Sequence, residues 1–455
     1  MTKLRLAIVG AGPAGIYAAD ILLKQEREFD VSIDLFEQLP APYGLVRYGV
    51  APDHPRIKGI VTALREVLDR GAIRIFGNVR YGRDITLSDL KKHYNAVIFS
   101  TGAIRDADLH IPGIDLPGSY GAADFVSWYD GHPDFPREWP LDASSVAVIG
   151  NGNVALDVAR ILAKHADDLL PTEIPANVYE ILKSSPVTDV HVFGRRGPTQ
   201  VKFSPLELRE MGELRDVDMV VHEEDFDYGD AERAAIESNK QILVIDRIFT
   251  KWRDEEVGSA SRRLHLHFYA QPLEVVAGPD GRVAAFRYER TEPDDAGGVR
   301  GTGEIREVAV GQVYRAVGYF GSPLDGIPFD ERRGVIPNHE GQVLAANDNE
   351  IVPGVYATGW IKRGPVGLIG HTKSDAMETV SHLVNDQASW WNPESPAEDA
   401  IVALLEERGI EYTDLAGWQH LDAYEIALGE PDGRARIKVV PRDQMVKISR
   451  GTDRD

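Results

Sequence analysis

Two glycine-rich turns in this chain have the spacing that holds the pyrophosphate of a dinucleotide. Each follows a short apolar segment and precedes a segment with helical periodicity. The first glycine permits a tight turn, the second lets a phosphate approach the backbone, and a small third residue lets the helix pack closely on the strand. The six positions are Gly10, Gly12, Gly15, Gly150, Gly152 and Ala155. The sequence therefore predicts two dinucleotide sites.

The residues after the next strand of each unit differ in charge. Glu37 ends the apolar segment of the first unit, whereas Arg195 and Arg196 follow the corresponding segment of the second. A carboxylate accepts a hydrogen bond from a ribose 2′-hydroxyl and repels a 2′-phosphate, and guanidinium groups bind a phosphate dianion. We expect the first site to hold FAD or NAD, with FAD preferred, and the second to hold NADP(H).

A flavin beside a nicotinamide indicates hydride transfer between them, and the cysteine content restricts where the electrons can go next. The chain contains no cysteine. It can therefore form neither a redox-active dithiol nor a cysteine-bound iron–sulfur cluster. The same absence excludes thiolate-ligated zinc, and we expect no metal site. The electrons must leave for an external acceptor.

The strand and helix pattern predicts an α/β fold of two Rossmann-like domains. Segments 4–9 and 31–37 read as strands on either side of a helix, and segments 145–164 and 187–197 repeat this arrangement. AVIFSTGA at 96–103 resembles GQVYRAVGY at 311–319, which indicates that each domain ends in the same returning strand and turn.

Three further segments carry weaker expectations. Residues 240–320 read as mostly β-structure, including the apolar run QILVIDRIF at 241–249. The proline-containing insertion at 165–186 is expected to serve surface packing. The tail after about residue 388 is expected to contain helices near 397–408 and 415–428 and to act as a packing appendage.

Length and charge exclude several classes of function. A chain of 455 residues exceeds the usual size of a single core, so several domains are expected. Its 50 basic and 72 acidic side chains leave a formal charge of −22, which opposes binding to nucleic acid or anionic lipid. No apolar run approaches the roughly 20 residues of a membrane span, and no leader peptide is evident, so a cytoplasmic location is expected.

Three polar residues near the predicted nucleotide sites could take part in chemistry. SPLELREMGEL at 204–214 reads as a helix, which places Glu207 and Glu210 on one face. His54 lies in a PDHP turn whose prolines restrict its backbone. A lone histidine is more often structural, and these residues alone leave its role open.

Five dispersed motifs resemble one family. They are LPxPxGLVR at 39–47, GVAPDHP at 49–55, NGNVALDVAR at 151–160, GRRG at 194–197 and GWIKRGP at 359–365. Together they look like adrenodoxin-reductase-type ferredoxin–NADP⁺ reductases, especially the actinobacterial branch. The resemblance implies an NADP-binding domain, residues 106–330, inserted into an FAD-binding domain made of residues 1–105 and 331–455.

The resemblance also implies which residues contact the cofactors. For FAD they are the first glycine turn (Gly10, Gly12, Pro13, Ala14, Gly15), Glu37, Leu45, Val79, Trp360, Gly367, Leu368 and Ile369. For NADP they are Asn151, Gly152, Asn153, Val154, Arg195, Arg196 and Glu207. His54 and Glu210 match the polar pair that the family keeps near the flavin, where we expect them to position nicotinamide or pass protons. A helix beginning near residue 370 would direct its positive end at the flavin ring and raise its reduction potential.

The implied partner is a ferredoxin, usually an acidic protein. Because this chain is itself strongly acidic, docking requires a local basic patch. The candidates are Arg195, Arg196, Lys202, Arg209, Lys362 and Arg363. Two other functions stay open: a flavoprotein subunit that feeds electrons to a larger complex, like the small subunit of glutamate synthase, and a non-catalytic nucleotide-binding redox sensor.

Overall fold

The computed structural model describes residues 3–294, 297–346, 350–366 and 369–452. Its strands are β1 (Lys3–Val9), β2 (Asp30–Phe36), β3 (Ile73–Phe76), β4 (Ala96–Phe99), β5 (Arg105–Asp106), β6 (Ser119–Gly121), β7 (Ser145–Ile149), β8 (Asp189–Phe193), β9 (Val217–Val221), β10 (Arg262–His267), β11 (Ala270–Ala277), β12 (Val283–Pro293), β13 (Val299–Ala309), β14 (Gln312–Arg315), β15 (Tyr319–Phe320), β16 (Asn338–His339), β17 (Gln342–Leu344) and β18 (Ile351–Ala357). Its helices are α1 (Pro13–Lys24), α2 (Leu45–Tyr48), α3 (Pro55–Lys58), α4 (Ile60–Leu68), α5 (Leu87–His93), α6 (Ala122–Tyr129), α7 (Asn153–Ala163), α8 (Ala176–Lys183), α9 (Pro205–Met211), α10 (Asp230–Ser238), α11 (Lys240–Asp254), α12 (Trp360–Arg363), α13 (Ile369–Asn385), α14 (Glu398–Glu407), α15 (Leu415–Gly429) and α16 (Arg442–Ser449).

The first sheet takes strands from both ends of the chain. Its order is β16-β17-β18-β4-β1-β2-β3, with β1 to β4 and β18 parallel and β16 to β18 forming an antiparallel meander. Buried apolar side chains cover both faces, as expected for a parallel sheet. The chain thus returns to this sheet after it has formed the second sheet.

The second sheet lies wholly within the middle of the chain. Its order is β6-β14-β7-β8-β10-β9, and all its pairs are parallel. An antiparallel sheet of β11, β12 and β13 packs on one face. Where the chain passes between the two large sheets, β5 and β15 pair as a two-stranded ribbon. The predicted α/β class with two Rossmann-like units is confirmed.

Both units close with an equivalent returning strand, as the sequence similarity predicted. β4 pairs with β1, and β14 pairs with β7. A Cβ on Gly10 would lie 2.5 Å from the carbonyl oxygen of Ser100, and one on Gly150 would lie 2.2 Å from that of Ala316. Both glycines also have positive φ, so the returning strand and the turn conformation each require glycine there.

The prediction of β-structure at 241–249 was wrong, because this segment lies in α11. The side chain of Asn239 caps the helix by accepting from the amides of Gln241 and Ile242. Ile245, Phe249 and Trp252 are buried at helical spacing. The apolar run at 241–249 obscured that period, because periodicity alone does not distinguish a strand from a buried helix in a run of this length.

The tail contains the two predicted helices, α14 and α15, and also α16. Lys438, between α15 and α16, is buried and forms an ion pair of 2.8 Å with Glu173 of the 165–186 insertion. It also donates to the backbone carbonyl of Arg47, at 2.7 Å. Through Lys438 the tail therefore connects the insertion with α2.

One negative finding concerns membranes. Among the residues described, no helix combines the length and the apolar character needed to cross a bilayer.

Candidate functional site

The first glycine turn joins β1 to α1 and leaves room for a phosphate. A Cβ on Gly15 would lie 2.2 Å from the carbonyl oxygen of Gly10, so the helix packs directly on the turn. A Cβ on Gly12 would meet nothing closer than 3.9 Å. Helix α1 begins at Pro13 and Ala14, and Gly12 before it has no side chain with which to cap the first amides. The first amides of the helix are therefore available to a pyrophosphate.

Glu37 lies beside this turn at the end of β2. Its Oε2 accepts from the amide of Ala11 at 2.8 Å, and its Oε1 accepts from the amide of Leu39 at 3.1 Å. Burial raises the pKa of Glu37, and the backbone hydrogen bonds oppose that rise. Val79 is buried next to it and donates its amide to the carbonyl of Glu37 at 2.9 Å. Both carboxyl oxygens of Glu37 are thus held by backbone amides beside the first glycine turn.

Two other predicted flavin contacts are half-buried at the starts of short helices. Leu45 begins α2, and Trp360 begins α12 after Gly359, whose φ is 77°. A Cβ on Gly359 would lie 2.6 Å from the Cβ of Ala14, so the end of β18 approaches the first glycine turn closely. Gly367 and Leu368 lie outside the described residues. Ile369 is the first residue of α13, so the helix predicted near residue 370 is confirmed.

The second glycine turn repeats this geometry between β7 and α7. Gly152 precedes the helix and has no side chain with which to cap it, and among the described residues a Cβ there would meet no atom within 4 Å. Asn151 accepts from the amide of Lys202 through its carbonyl at 2.9 Å. The side chain of Asn153 accepts from the amide of Ser204 at 3.1 Å, and Val154 is half-buried beyond it. These bonds attach the turn to the segment that leads into α9.

Arg195 and Arg196 follow β8 with fixed backbones and exposed side chains. The hydroxyl of Thr291 donates to the carbonyl of Arg195 at 2.9 Å, and the amide of Tyr269 donates to the carbonyl of Arg196 at 3.2 Å. Both side chains are exposed, and within the described ranges neither guanidinium forms an ion pair. Two unneutralised cations beside a glycine turn suit a phosphate dianion.

Helix α9 places its two carboxylates as the sequence predicted. Ser204 caps the helix by accepting from the amides of Leu206 and Glu207. Glu207 is buried, and its Oε2 has no hydrogen-bond partner among the described residues. Such an orphaned acceptor is costly unless a ligand supplies a donor. Glu210 is partly exposed, and burial raises its pKa.

His54 and Glu210 lie side by side. Nδ1 of His54 is 3.1 Å from Oε2 of Glu210, although 156 residues separate them in the chain. His54 is buried at the start of α3, and its backbone is held between the two prolines. The structure thus brings together the two residues predicted to act as a pair, and their role stays a prediction.

Two residues of α7 complete this group and were missed from the sequence. Nε2 of His54 lies 2.8 Å from Oδ1 of Asp157 and 2.7 Å from a guanidinium nitrogen of Arg160. Arg160 also donates two hydrogen bonds of 2.9 Å to Asp53. Asp157 and Arg160 stand at i, i+3 within the NGNVALDVAR motif, a spacing that marks one helix face. That spacing was the signal in the sequence that could have identified Asp157 and Arg160 as a pair of polar residues on one helix face.

Four of the six predicted docking residues are exposed. They are Arg195, Arg196, Lys202 and Arg209. Lys362 is wrong as a docking residue, because it is buried against Asp375 at 3.1 Å and Glu378. Arg363 is half-buried and has Asp375 3.8 Å away. These two cations are compensated by their own chain.

The chain is similar in sequence and in fold to known reductases. Residues 4–196 match the family model described as pyridine nucleotide-disulphide oxidoreductase. The chain is 39% identical to the NADPH-ferredoxin reductase FprA of Mycobacterium tuberculosis, covering 99% of this chain and 100% of the relative. It is 38% identical to human mitochondrial NADPH:adrenodoxin oxidoreductase, covering 98% of this chain and 91% of that one. It also resembles the solved structure of Mycobacterium tuberculosis FprA in complex with NADPH, with a TM-score of 0.92, 39% identity and coverage of 99% and 100%.

Proposed function

Because the chain belongs to the family of NADPH–ferredoxin and NADPH–adrenodoxin reductases, we propose that it is an FAD-dependent NADPH:ferredoxin oxidoreductase. One observation carries the proposal. The same chain has two glycine turns, one followed by the buried carboxylate of Glu37 and the other by the unpaired guanidinium groups of Arg195 and Arg196. One site therefore suits a non-phosphorylated dinucleotide and the other suits NADPH.

The two sites correspond to two proposed domains. We assign FAD to residues 1–105 and 331–455, and NADP(H) to residues 106–330. The composition of the two large sheets supports this division, since the first takes strands from both ends of the chain and the second does not. The ribbon of β5 and β15 lies at the change from one to the other.

When bound, FAD accepts a hydride from NADPH and passes on its electrons one at a time. The residues of the chain bind and orient the two cofactors for this chemistry. The glycine turns and the first amides of α1 and α7 hold the pyrophosphates. Oε2 of Glu207, which has no partner among the described residues, would accept a hydrogen bond from the nicotinamide nucleotide. His54 and Glu210 position nicotinamide or relay protons, while Asp157 and Arg160 fix the imidazole.

The acceptor we propose is an acidic ferredoxin that docks near Arg195, Arg196, Lys202 and Arg209. Their exposure and positive charge support this choice. The family is named for disulphide chemistry, but this chain has no cysteine with which to perform it. A cytoplasmic location stays a prediction, which cell fractionation tests.

Reduction of the purified protein without air tests the function. The protein should show the visible absorption of oxidised flavin, lose it faster with NADPH than with NADH, and then reduce a ferredoxin. A colourless protein, or one that stays oxidised with NADPH, contradicts the proposal. Bound nucleotides with negligible NADPH–ferricyanide activity would favour a redox sensor, and purification only within a larger complex would favour an electron-input subunit.

A further inference from the structure

Four of the thirteen histidines of this chain lie together in the second sheet, outside both glycine turns. His191 is on β8, His265 and His267 are on β10, and His222 follows β9. The rings of His191 and His265 stack with centroids 4.2 Å apart and planes 14° apart. Those of His222 and His267 stack at 4.6 Å. The function proposed above uses none of these imidazoles.

Strand pairing brings three possible metal ligands into one cluster. Asp189 and His191 share a face of β8, because alternate residues of a strand point the same way. His265 of β10 pairs directly with His191. Nε2 of His265 lies 3.0 Å from Oδ1 of Asp189, and one ligand atom from each residue lies within 4.8 Å of the others.

We propose that Asp189, His191 and His265 bind a divalent transition-metal ion of the zinc class. Two imidazole nitrogens and one carboxylate oxygen are a donor set that zinc accepts, with bonds of about 2.0–2.2 Å. Tetrahedral coordination needs ligand atoms about 3.4 Å apart, so small side-chain rotations would close the cluster around the ion. All three residues are half-buried, which leaves the fourth position open to water.

A neighbouring imidazole orients one of the ligands, His191. Nδ1 of His191 lies 3.0 Å from Nε2 of His267, which leaves the other ring nitrogen of His191 for the metal. Such a contact fixes the orientation of a ligating imidazole. Arg263 competes weakly for Asp189, because its nearest guanidinium nitrogen is 3.9 Å away. When the metal binds, it would replace the proton that His265 and Asp189 share in their 3.0 Å contact.

The proposed site does not overlap the nucleotide sites. Asp189 is the first residue of β8 and His191 is its middle residue, whereas Arg195 lies two positions beyond its carboxyl end. Arg195 follows His191 by four positions, which corresponds to about 13 Å in an extended chain. The inference therefore does not depend on the proposed enzymatic activity.

The expectation of no metal site rested on the absence of cysteine, which excludes thiolate ligands but not histidine and carboxylate ligands. His191 and His265 are 74 positions apart, and only the pairing of β8 with β10 makes them neighbours. No short sequence pattern could have revealed the cluster.

Calorimetric titration of the full-length protein with zinc chloride, after removal of metals with EDTA, tests the site. We expect one zinc ion per chain. Binding should be at least tenfold weaker in each of His191→Gln, His265→Gln and Asp189→Asn. The control is His420→Gln, which alters an exposed histidine in α15 and should bind zinc like the unaltered protein.

Absence of binding, or weakening below tenfold in all three variants, would overturn the proposal. Equal weakening in His420→Gln would overturn it too, because zinc would then bind histidines without a defined site. Circular dichroism verifies folding. If one of the three variants does not fold, the other two decide the outcome.

Discussion

Nε2 of His54 lies 2.8 Å from Oδ1 of Asp157, across 103 positions of the chain. This contact joins the PDHP turn, which precedes α3, to the helix that begins at the second glycine turn. Asp53 reinforces the connection through its two hydrogen bonds to Arg160. The residue predicted to lie near the flavin is thus attached to the helix predicted to hold the nicotinamide nucleotide.

The first prediction concerns the paired residues near the flavin. His54→Ala and Glu210→Ala should slow flavin reduction by about tenfold to a hundredfold and weaken NADPH binding. Hydride transfer moves no separate proton to the protein, so these groups position the substrate rather than act as an obligatory acid and base. Anaerobic stopped-flow measurement of flavin reduction checks this. A loss beyond about a thousandfold would show that the role is larger than proposed.

The second prediction concerns nucleotide selectivity. Replacing both Arg195 and Arg196 with glutamine should lower kcat/KM for NADPH by about a hundredfold or more and leave that for NADH nearly unchanged. Only NADPH carries the phosphate that the guanidinium groups would bind, and each charged hydrogen bond contributes about 1.5–3 kcal/mol. Ferricyanide reduction with each nucleotide measures the effect. Arg332→Gln, at another exposed arginine, is the control, and a parallel loss with NADH would refute the assignment.

The third prediction concerns the partner. Ferredoxin reduction at saturating NADPH should slow steeply as salt is added, because screening weakens attraction between opposite charges. Lys202→Gln combined with Arg209→Gln should raise KM for ferredoxin several-fold at low salt and have little effect at high salt. A flat salt response would argue against charged docking. Lys362 is not part of this test, because it is buried and paired.

The fourth prediction concerns the tail. Lys438→Met should lower the free energy of unfolding by about 3 kcal/mol, because Glu173 and Asp130 would lose a buried cation. Lys438 lies 2.8 Å from Glu173 and donates to the carbonyl of Asp130 at 3.0 Å. Scanning calorimetry should show a lower Tm than for Lys447→Met, which alters an exposed lysine. Equal Tm values would mean that the ionic contacts contribute no net stability.

The fifth prediction concerns pH. Burial, assisted by the nearby carboxylate of Asp124, raises the pKa of Asp106 in the ribbon between the sheets to about 7. The folded state therefore holds a proton that the unfolded state has lost between about pH 4 and 7. This stabilisation is complete below the unfolded pKa and disappears as pH rises through 7.

Asp106→Asn should therefore flatten the fall in stability between pH 4 and 7 and stabilise the protein at pH 8 by up to about 4 kcal/mol. Denaturant unfolding across this range measures the change. An unchanged pH profile would show that Asp106 has an ordinary pKa. Loss of stability at pH 8 would instead show that the charged form is needed to accept from the amide of Ala123.

The sequence by itself determined the two glycine turns, the opposite charges that follow them, the repeated returning strands and the absence of any redox dithiol. These features are local, since a turn, a helix start and a strand end lie within a few residues of one another. The same locality explains the error at 241–249. The apolar run there concealed a helical period that Asn239 begins and that burial of Ile245, Phe249 and Trp252 selects.

Only the tertiary structure decided which distant residues meet. Asp157 and Arg160 belong with His54 because the PDHP turn packs on α7. Lys362 is excluded from the basic patch because Asp375 lies against it, and Lys438 contacts Glu173 because the tail folds back on the insertion. The metal cluster likewise depends on the register of β8 with β10. Such contacts arise from packing and strand pairing between segments far apart in the chain, and spacing within one segment can mark a face but does not specify which distant residues meet it.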